Sequence, residues 1–545
     1  MIKVKLKNLF SSQSKTITSA AILLGAASLV SRLFGVLRDR VLAGQFGAGG
    51  ELDVYYAAFR IPDLIFNLLI LGSLSAGFIP VFTSLVGSNK NKAWELVNVF
   101  FNFIILTVFI LSALMVATAP WLVKIITPGF SPEQLATTTK MTQIMFFSLM
   151  FLAMSGIFGS VLQSLKSFFI YSIAPILYNI GIIIGAIFFV PILGIYGLAW
   201  GVVLGAFMHM LIQIVAAWTL GYRWRWRFDL GNKGLRKILT LMVPRTMGIM
   251  VSQINFLVVT IIGSTLAAGS IAVFNLANNI QSFPLGLFGV SFAVAAFPTL
   301  SEAVNNKKKF IQALSLTIRQ ILFLVIPASV LLIVLRAQVV RVILGSGKFD
   351  WNDTLLTLQV LSIFAVSLFA QSCILVLARA YYAQQDTKTP FVVGLVTEVI
   401  NFILAVSLSR WFGVMGLAAA FSLSTIINFL LLAIILRQRF GSMDGMKILI
   451  SFSKICVAAF MMAIVAQAIK YPMQQWLGLQ TFIGVASQTL AAGSAGLVTY
   501  FTTCWLIKSE EFKLFIEVVN KKILKKPQLP EEVTEQESLT QNLSS

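Results

Sequence analysis

The sequence has few charged residues and very few of the side chains that usually bind metals or carry out catalysis. Only 11% of its 545 residues are charged, and it has three cysteines and one histidine. The cysteines (Cys373, Cys456 and Cys504) lie far apart in apolar runs, so they fit neither a disulfide framework nor a zinc motif. The single His209 excludes any catalytic or metal site built on several histidines. We expect no catalytic residues, no bound metal and no cofactor.

Instead of charge, the chain has apolar residues in long runs. They make up 58% of the sequence, and the mean hydropathy is +0.89. Repeated runs of about 20 apolar residues are typical of membrane-spanning helices and not of a soluble domain. The sequence therefore predicts an all-α polytopic membrane protein with about fourteen transmembrane helices. The predicted spans are residues 18–37, 62–86, 95–118, 138–164, 168–191, 194–219, 238–263, 270–299, 310–335, 355–383, 390–409, 413–437, 448–469 and 480–506.

The distribution of lysine and arginine predicts how the spans are oriented. An even number of spans puts both termini on one side, and basic loops mark the cytoplasm. The N-terminal segment, the loops after even-numbered spans and the C-terminal tail are rich in basic residues, whereas the opposite loops hold few. We therefore expect both termini and residues 222–237 in the cytoplasm, and residues 345–353 outside. The basic N-terminus has no convincing cleavage site, so we expect a retained first helix and not a signal peptide.

Residues 222–228 alternate arginine with aromatic side chains. This pattern can bind single-stranded nucleic acid. Between two membrane spans, however, arginine and tryptophan are ordinary interfacial anchors. The net charge of +21 is explained in the same way, by cytoplasmic loops near anionic headgroups. The sequence favours the anchor interpretation and predicts the lipid bilayer, and not nucleic acid, as a partner.

An internal repeat divides the chain. Residues 193–199 and 412–418 share a Gly-x-x-Gly-Leu-Ala motif at an offset of 219, and Pro80 and Pro298 lie in similar segments. Six spans separate the copies, so they share one orientation and form parallel repeats. We predict an N-terminal lobe (1–220, spans 1–6), a C-terminal lobe (221–440, spans 7–12), spans 13–14 (441–507), and a cytoplasmic tail (508–545) that begins basic and ends disordered.

Charged residues lie in or beside the first two spans. A central charge costs about 2.5–3.5 kcal/mol to insert, so such residues usually face a bundle interior or a wet cavity. Arg32 and Arg38 are six residues apart and could flank one inner face of a helix. Arg40, by contrast, can be an anchor that ends the helix at the interface. The charges are Arg32, Arg38, Asp39, Asp53, Arg60 and Asp63.

These residues carry a resemblance to a known family. The chain resembles the MurJ/MviN family of the MOP exporter superfamily, whose members flip lipid II, the undecaprenyl-linked peptidoglycan precursor. The likeness extends to about residue 440. Its motifs are Ser31, Arg32, Arg38 and Asp39, then Asp53 with residues 57–62, and residues 78–80, 128–134, 174–179, 243–246 and 385–390.

The resemblance implies a transporter of a bacterial inner membrane and not an enzyme. Its two lobes would surround a cavity, with spans 13 and 14 shaping a groove for the lipid tail. Arginine suits a pyrophosphate because its guanidinium binds phosphate through two parallel hydrogen bonds. We expect Arg32 and Arg38 to bind the substrate, with Asp39 and Asp53 as their pairing or gating partners. Arg60 stands where family members commonly have a basic residue.

The chain departs from the family in spans 2 and 8. Family members commonly carry further arginines there, and none occurs in the span-8 residues 277–284. Amides in this span, Asn278 and Asn279, could bind sugar hydroxyls, or could simply form hydrogen bonds between helices. In span 11, Glu398 and Asn401 share a face and suggest an ion- or proton-coupling site, or a structural partner for Gln253 or Asn255.

On these grounds we expect a flippase that translocates lipid II by alternating access. Two alternatives keep the fold: a flippase for another polyprenyl-linked polysaccharide, or a drug antiporter. Two others belong to different classes: a membrane-embedded glycosyltransferase or a non-transporting scaffold. A glycosyltransferase usually needs a large acidic or metal-binding loop, which this sequence lacks.

Overall fold

The computed structural model describes residues 17–71, 77–477 and 481–524. The N-terminal lysines and the end of the C-terminal tail lie outside these ranges, as do the side chains of residues 243–245. The described residues form helices connected by short loops, with no strand among them. The helices are α1 (Ile17–Phe46), α2 (Gly50–Phe66), α3 (Ile79–Ser88), α4 (Lys90–Ile126), α5 (Pro132–Ser164), α6 (Phe168–Leu193), α7 (Tyr196–Thr219), α8 (Lys233–Ser264), α9 (Ser270–Glu302), α10 (Lys307–Val334), α11 (Arg336–Leu344), α12 (Trp351–Ala383), α13 (Lys388–Phe412), α14 (Val414–Phe440), α15 (Gly445–Leu477), α16 (Phe482–Leu506) and α17 (Glu510–Leu524).

Eleven helices in the described ranges are long and apolar enough to cross a membrane. The predicted all-α class is therefore confirmed. The first two helices differ from their predicted bounds. α1 continues to Phe46 instead of ending near residue 37, so Arg38, Asp39 and Arg40 lie inside it. α2 begins at Gly50, before the predicted start of the second span at residue 62.

The helices of the first half pack in pairs that recur in the second half. In the first half, α1 packs on α6, α2 and α4 pack on α5, and α7 packs on α5 and α6. The corresponding helices of the second half make the same contacts: α8 with α13, α9 and α10 with α12, and α14 with α12 and α13. Outside this arrangement, α15 packs on α10 and α16 packs on α15.

The backbone repeats at the same offset. Gly194 and Gly413, which precede equivalent helices, both have a positive φ (59° and 56°). An L side chain rarely adopts this conformation, so glycine is favoured at both positions. Lys166 and Gln385, also 219 residues apart, share a positive φ. α2 runs on into a π-helical turn at Asn67–Leu71, and α9 contains one at Leu285–Val290.

Three large apolar cores hold the helices together, beside a small cluster of Leu162, Ile170 and Ala216. One lies mainly within the first half, where it includes Phe100 and Phe158, and also contains Leu235 and Ile238 of α8. Another lies within the second half and extends to α16, where it includes Tyr500. The third joins the two halves where α1 ends, through residues such as Leu42 and Phe274. The two halves are therefore packed together at this end of the molecule.

Glycines allow α6 and α7 to approach until their backbones touch. Gly181 of α6 faces Gly205 of α7, and Gly185 faces Gly201; a Cβ on Gly181 would lie 2.2 Å from the Gly205 Cα. Both helices carry the Gly-x-x-x-Gly spacing of close membrane helix pairs. The second half has Ile400 and Leu404 at the positions that correspond to Gly181 and Gly185, so this glycine contact belongs to the first half.

We predict that Gly205→Val destabilises the protein. A Cβ at this position would lie 2.4 Å from the Tyr178 carbonyl oxygen, so α6 and α7 must separate. Overpacking of this kind costs about 1–3 kcal/mol. Thermal unfolding in detergent should show a lower melting temperature for this variant. Gly87→Val is the control, because no atom lies within 4 Å of the corresponding Cβ. Equal melting temperatures for the two variants would contradict the prediction.

Candidate functional site

The charged residues of α1 and α2 meet the polar face of α9. Three α9 residues, Asn275, Asn279 and Ser282, lie on one helical face because they are spaced by four and three residues. Each of them contacts the charged residues of the first half, either directly or through its carbonyl group. The site is thus a polar interface between the two halves.

Arg38 and Asp39 form the centre of this interface. The Arg38 Nε and Nη2 atoms donate to Asp39 Oδ1 at 3.0 and 2.8 Å. Arg38 Nη1 also donates to Asn179 Oδ1 of α6 at 3.1 Å. The second carboxylate oxygen of Asp39 accepts a hydrogen bond from Asn279 Nδ2 at 2.9 Å. The predicted pairing of Arg38 with Asp39 is therefore present, and Asn279 joins the pair to the second half.

Arg60 reaches two helices of the second half. Its Nε donates to Thr260 Oγ1 of α8 at 2.9 Å, and its Nη2 donates to Asn275 Oδ1 of α9 at 2.6 Å. The guanidinium also lies over the Phe256 ring, 5.1 Å from its centroid. Among the described residues, no carboxylate forms an ion pair with Arg60, although Asp63 lies one turn along α2. Its hydrogen-bond acceptors are therefore neutral.

Arg32 lies at the edge of the interface. Its Nη1 donates to the Ser282 carbonyl oxygen at 3.1 Å. Its guanidinium also lies against the Gly286 backbone, in the space that a Cβ at that position would fill. Within the described residues, this arginine too has no carboxylate partner. Arg32 therefore contacts the π-helical turn of α9 through neutral backbone groups.

Asp53 does not pair with an arginine, contrary to the expectation. Its buried carboxylate accepts hydrogen bonds from the backbone N–H groups of Gly269 and Ala272, at 2.5 and 2.8 Å. These groups belong to the first turn of α9 and have no partner within the helix. A carboxylate there also interacts favourably with the helix dipole. Asp53 therefore caps α9 and fastens α2 to the second half.

Arg40 is not a free interfacial anchor. Its Nη1 and Nη2 donate to the carbonyl oxygens of Val342 and Gly345, at 2.6 and 3.2 Å. Its guanidinium lies 4.9 Å from the centroid of the Phe482 ring. Arg40 therefore binds the carbonyl end of α11, a short helix that the hydropathy pattern did not predict.

Asn278 and Asn279 point into different networks. Whereas Asn279 contacts Asp39, Asn278 Oδ1 accepts from Gln281 Nε2 at 3.0 Å. Gln281 Oε1 in turn accepts from Gln371 Nε2 of α12 at 3.0 Å. Of the two predicted amides, only Asn279 touches the charged residues. The Asn278 chain links helices within the second half.

A cavity of about 570 Å³ adjoins Arg32 on the side of the N-terminal part of α1. Its polar lining includes Ser31, Ser155, His209 and Gln213. The Ser155 hydroxyl oxygen lies 2.5 Å from His209 Nδ1 and donates to Gln213 Oε1 at 3.0 Å. Sequence reasoning missed these residues, because serine and a lone histidine in apolar helices carry no distinctive spacing. The cavity is thus lined by hydroxyl, amide and imidazole groups next to an arginine.

Glu398 and Asn401 lie apart from the arginines, between α13 and α8. The Glu398 Oε2 atom accepts from Asn401 Nδ2 at 3.3 Å and from Asn255 Nδ2 at 3.5 Å. The contact with Asn255 was one of the expected alternatives. In the described part of the chain, no group of three His, Cys, Asp or Glu side chains could hold a metal ion.

Comparison with known proteins identifies the family. The lipid II flippase MurJ family matches residues 42–487. The chain belongs to the MurJ family. It is 32% identical over 437 residues to a probable lipid II flippase MurJ of Vibrio cholerae serotype O1, covering 77% of this chain and 82% of that one. It is 30% identical to a probable lipid II flippase MurJ of Bdellovibrio bacteriovorus, covering 91% of this chain and 96% of that one.

Solved structures agree with the family assignment. A lipid II flippase MurJ in an inward closed conformation has a TM-score of 0.73 and 25% identity, covering 89% of this chain and 98% of that one. An inward-facing multidrug resistance MATE family transporter of the MOP superfamily has a TM-score of 0.66 at 15% identity, covering 78% and 99%. The second likeness shows the fold alone. The MurJ family is one of membrane transporters, so the expectation of a transporter and not an enzyme agrees with the family.

Proposed function

We propose that the chain is a flippase that carries lipid II, an undecaprenyl-pyrophosphate-linked glycolipid, across the bacterial cytoplasmic membrane by alternating access. The observation that carries the proposal is which groups form hydrogen bonds with the arginines at the interface. Arg32 and Arg60 are bound by neutral carbonyl, hydroxyl and amide oxygens. A phosphate is a stronger partner than any of these, because its negative charge attracts the guanidinium and two of its oxygens can accept parallel hydrogen bonds from it.

The substrate would exchange with these neutral acceptors. Arg38 already has a carboxylate partner in Asp39, so a bound phosphate would share the Arg38 guanidinium with that carboxylate. A pyrophosphate entering from the cavity would meet Arg32 first, because that residue lines the cavity. The polar cavity wall around Ser155 would face the sugar and peptide groups of the substrate. The prenyl tail would remain in the lipid.

The proposal includes two lobes of six spans and two additional C-terminal spans, fourteen in all. The first lobe (1–220) comprises α1 to α7, the second (221–440) comprises α8 to α14, and α15 and α16 lie in residues 441–507. The recurring helix pairs and the matching positive-φ positions support this division. The tail (508–545) begins with α17, which Glu511 fastens to Arg319 of α10 by an ion pair of 2.7 Å.

We further propose that both termini lie in the cytoplasm. The end of the interface where α1 ends, which the shared apolar core closes, then faces outward. The basic loops support this orientation. In it, the cavity opens toward the cytoplasm, where lipid II would load. Rocking of the lobes would break the contacts of α9 with α1 and α2 and expose the arginines to the other side.

We predict that Arg38→Ala abolishes complementation of a bacterial strain depleted of its own lipid II flippase, at normal protein levels. The physical reason is that Asp39 would lose its partner and the substrate a phosphate ligand. Arg40→Ala should behave differently, because it leaves two carbonyl groups of α11 without their donor. That variant should instead lower the melting temperature in detergent. If Arg38→Ala complements fully, the arginine has no role in transport.

The proposed orientation predicts which cysteines an impermeant thiol reagent can reach in intact cells. In a cysteine-free background, Lys348→Cys should react and Lys233→Cys should not. Both side chains are exposed, so their accessibility depends on the side of the membrane. The neighbouring Gly347 is not suited to cysteine substitution, because it has a φ of 52° and the Gly44 carbonyl group fills the position of its Cβ. The opposite labelling would reverse the orientation.

We also propose that Glu398, with Asn401, couples transport to a proton or another ion. Of the described residues, only amides contact its carboxylate, so no basic group neutralises its charge. Glu398→Gln keeps the hydrogen bonds but cannot titrate. We expect slower transport with weaker pH dependence and normal substrate binding in proteoliposomes. Glu51→Gln, at an exposed position, is the control. An unchanged pH profile in Glu398→Gln would make this residue structural.

A further inference from the structure

Residues 222–228, which we call the strap, follow α7 and lead toward α8. They have no regular secondary structure. Their backbone is nevertheless fixed along α4 by two asparagines one helical turn apart. Asn98 Nδ2 donates to the Arg223 carbonyl oxygen at 3.1 Å, and Asn98 Oδ1 accepts from the Arg225 N–H at 2.9 Å. Asn102 Nδ2 donates to the carbonyl oxygens of Arg225 and Arg227, each at 3.0 Å.

This fixation determines where the strap side chains point. Both asparagines are only 3% exposed, and the ring of Tyr222 is fully buried with its hydroxyl donating to Asn98. Every second strap residue therefore offers its backbone to α4, as in an extended chain. The side chains between these contacts alternate between two faces. One face carries Arg223, Arg225 and Arg227, and the other carries Trp224, Trp226 and Phe228.

Contacts with α4 orient these two faces relative to the membrane. Arg227 pairs at 2.9 Å with Glu95, close to the polar beginning of α4. The Trp224 indole N–H donates instead to Asn102 at 3.1 Å, two turns further along. Beyond Asn102, residues 103–116 of α4 contain no charged side chain. The aromatic face is therefore turned toward the apolar end of the helix and the arginine face toward its polar end.

The exposed groups of the strap fit the boundary between headgroups and hydrocarbon. Trp224 and Trp226 are 55% and 69% exposed, and tryptophan with one polar edge is enriched at this depth. Arg223 and Arg227 already have partners in carbonyl groups and Glu95. The Arg225 guanidinium, in contrast, contacts no acceptor among the described residues, although its backbone is held at both ends. Its backbone is therefore fixed, while its exposed guanidinium is available to bind an anion.

We propose that the strap binds the phosphate of an anionic phospholipid headgroup, with Arg225 as the ligand and Trp224 and Trp226 inserted beside the acyl chains. The site is separate from the arginines of the lobe interface. A membrane fits better than single-stranded nucleic acid, because the aromatic rings face the apolar end of α4. In the proposed orientation the strap lies at the cytoplasmic leaflet, but the proposed lipid site does not depend on that orientation.

The test measures quenching of the strap tryptophans by brominated phospholipids. The full-length protein is reconstituted into phosphatidylcholine vesicles that contain a fixed minor fraction of brominated phosphatidylglycerol or, in a matched sample, brominated phosphatidylcholine. The strap signal is the difference between the wild type and the Trp224→Phe/Trp226→Phe double variant, which isolates two of the ten tryptophans. We expect stronger quenching of this signal by the anionic lipid.

Substitutions then identify the ligand. Arg225→Gln should reduce the preference for the anionic lipid about fivefold, the factor that corresponds to one basic residue near an anionic surface. Arg225→Lys should give an intermediate preference, because it keeps the charge but loses the two-pronged geometry. Arg437→Gln is the control, since Arg437 is exposed at the end of α14 and its side chain has no polar partner in the described ranges. It should leave the preference unchanged.

Three results would overturn the proposal. The first is equal quenching by the two lipids in the wild type. The second is an unchanged preference in Arg225→Gln, which is expected to fold because this side chain is exposed and has no hydrogen-bond or ion-pair partner in the described part of the chain. The third is loss of the preference when inorganic phosphate or a single-stranded RNA oligonucleotide is added in excess. That result would assign the strap to free phosphate or to nucleic acid.

Discussion

The structure depends on the need to satisfy charged groups within an apolar medium. An unpaired arginine or aspartate at the centre of a bilayer costs about 2.5–3.5 kcal/mol, and here several lie in the first two helices. The partners come from the other half of the molecule: Asn279 for Asp39, Asn275 for Arg60, and the Ser282 carbonyl group for Arg32. The same contacts that stabilise the charges therefore hold the halves together.

The strength of these contacts is suited to a structure that must open. A ring of ion pairs would hold the halves tightly, because breaking a buried pair by removing one partner costs about 3–5 kcal/mol. Among the described residues of the interface, only Arg38 and Asp39 form such a pair, and both lie on α1, so the pair need not break when the halves separate. Besides the apolar core at the end of α1, the contacts of the charged residues across the halves are hydrogen bonds to amide, hydroxyl and backbone groups. Each is worth about 1.5–3 kcal/mol when one partner is charged, and water or a phosphate can replace it.

Much of this arrangement could be predicted from the sequence, because charged residues inside apolar runs identify themselves. The pairing of Arg38 with Asp39 and the polar character of span 8 followed from such residues. The end of α1 could not be predicted in this way. Hydropathy detects runs of apolar residues and does not detect helical backbone. The charged residues 38–40 therefore appeared to end the first helix, which in fact continues to Phe46.

The roles of Asp53 and Arg40 could not be predicted from the sequence either. Asp53 caps a helix that begins more than 200 residues later, and Arg40 binds α11 some 300 residues away. No local pattern reports which backbone group will approach a given side chain. His209 is a similar case, because its place in the cavity wall depends on the packing of α5 against α7.

The repeat explains why one half carries the charges and the other the amides. The two halves share helix pairs and turns, so the backbone arrangement is duplicated. The side chains at the interface are not duplicated. At the offset of 219, Arg38 and Asp39 correspond to Leu257 and Val258. An arginine of the second half that faced these arginines would add like-charge repulsion to the closed interface. Amides avoid this conflict because they accept from guanidinium and donate to carboxylate. The absence of arginine in span 8 is therefore compatible with closure, and it leaves the first half as the source of positive charge for an anionic substrate.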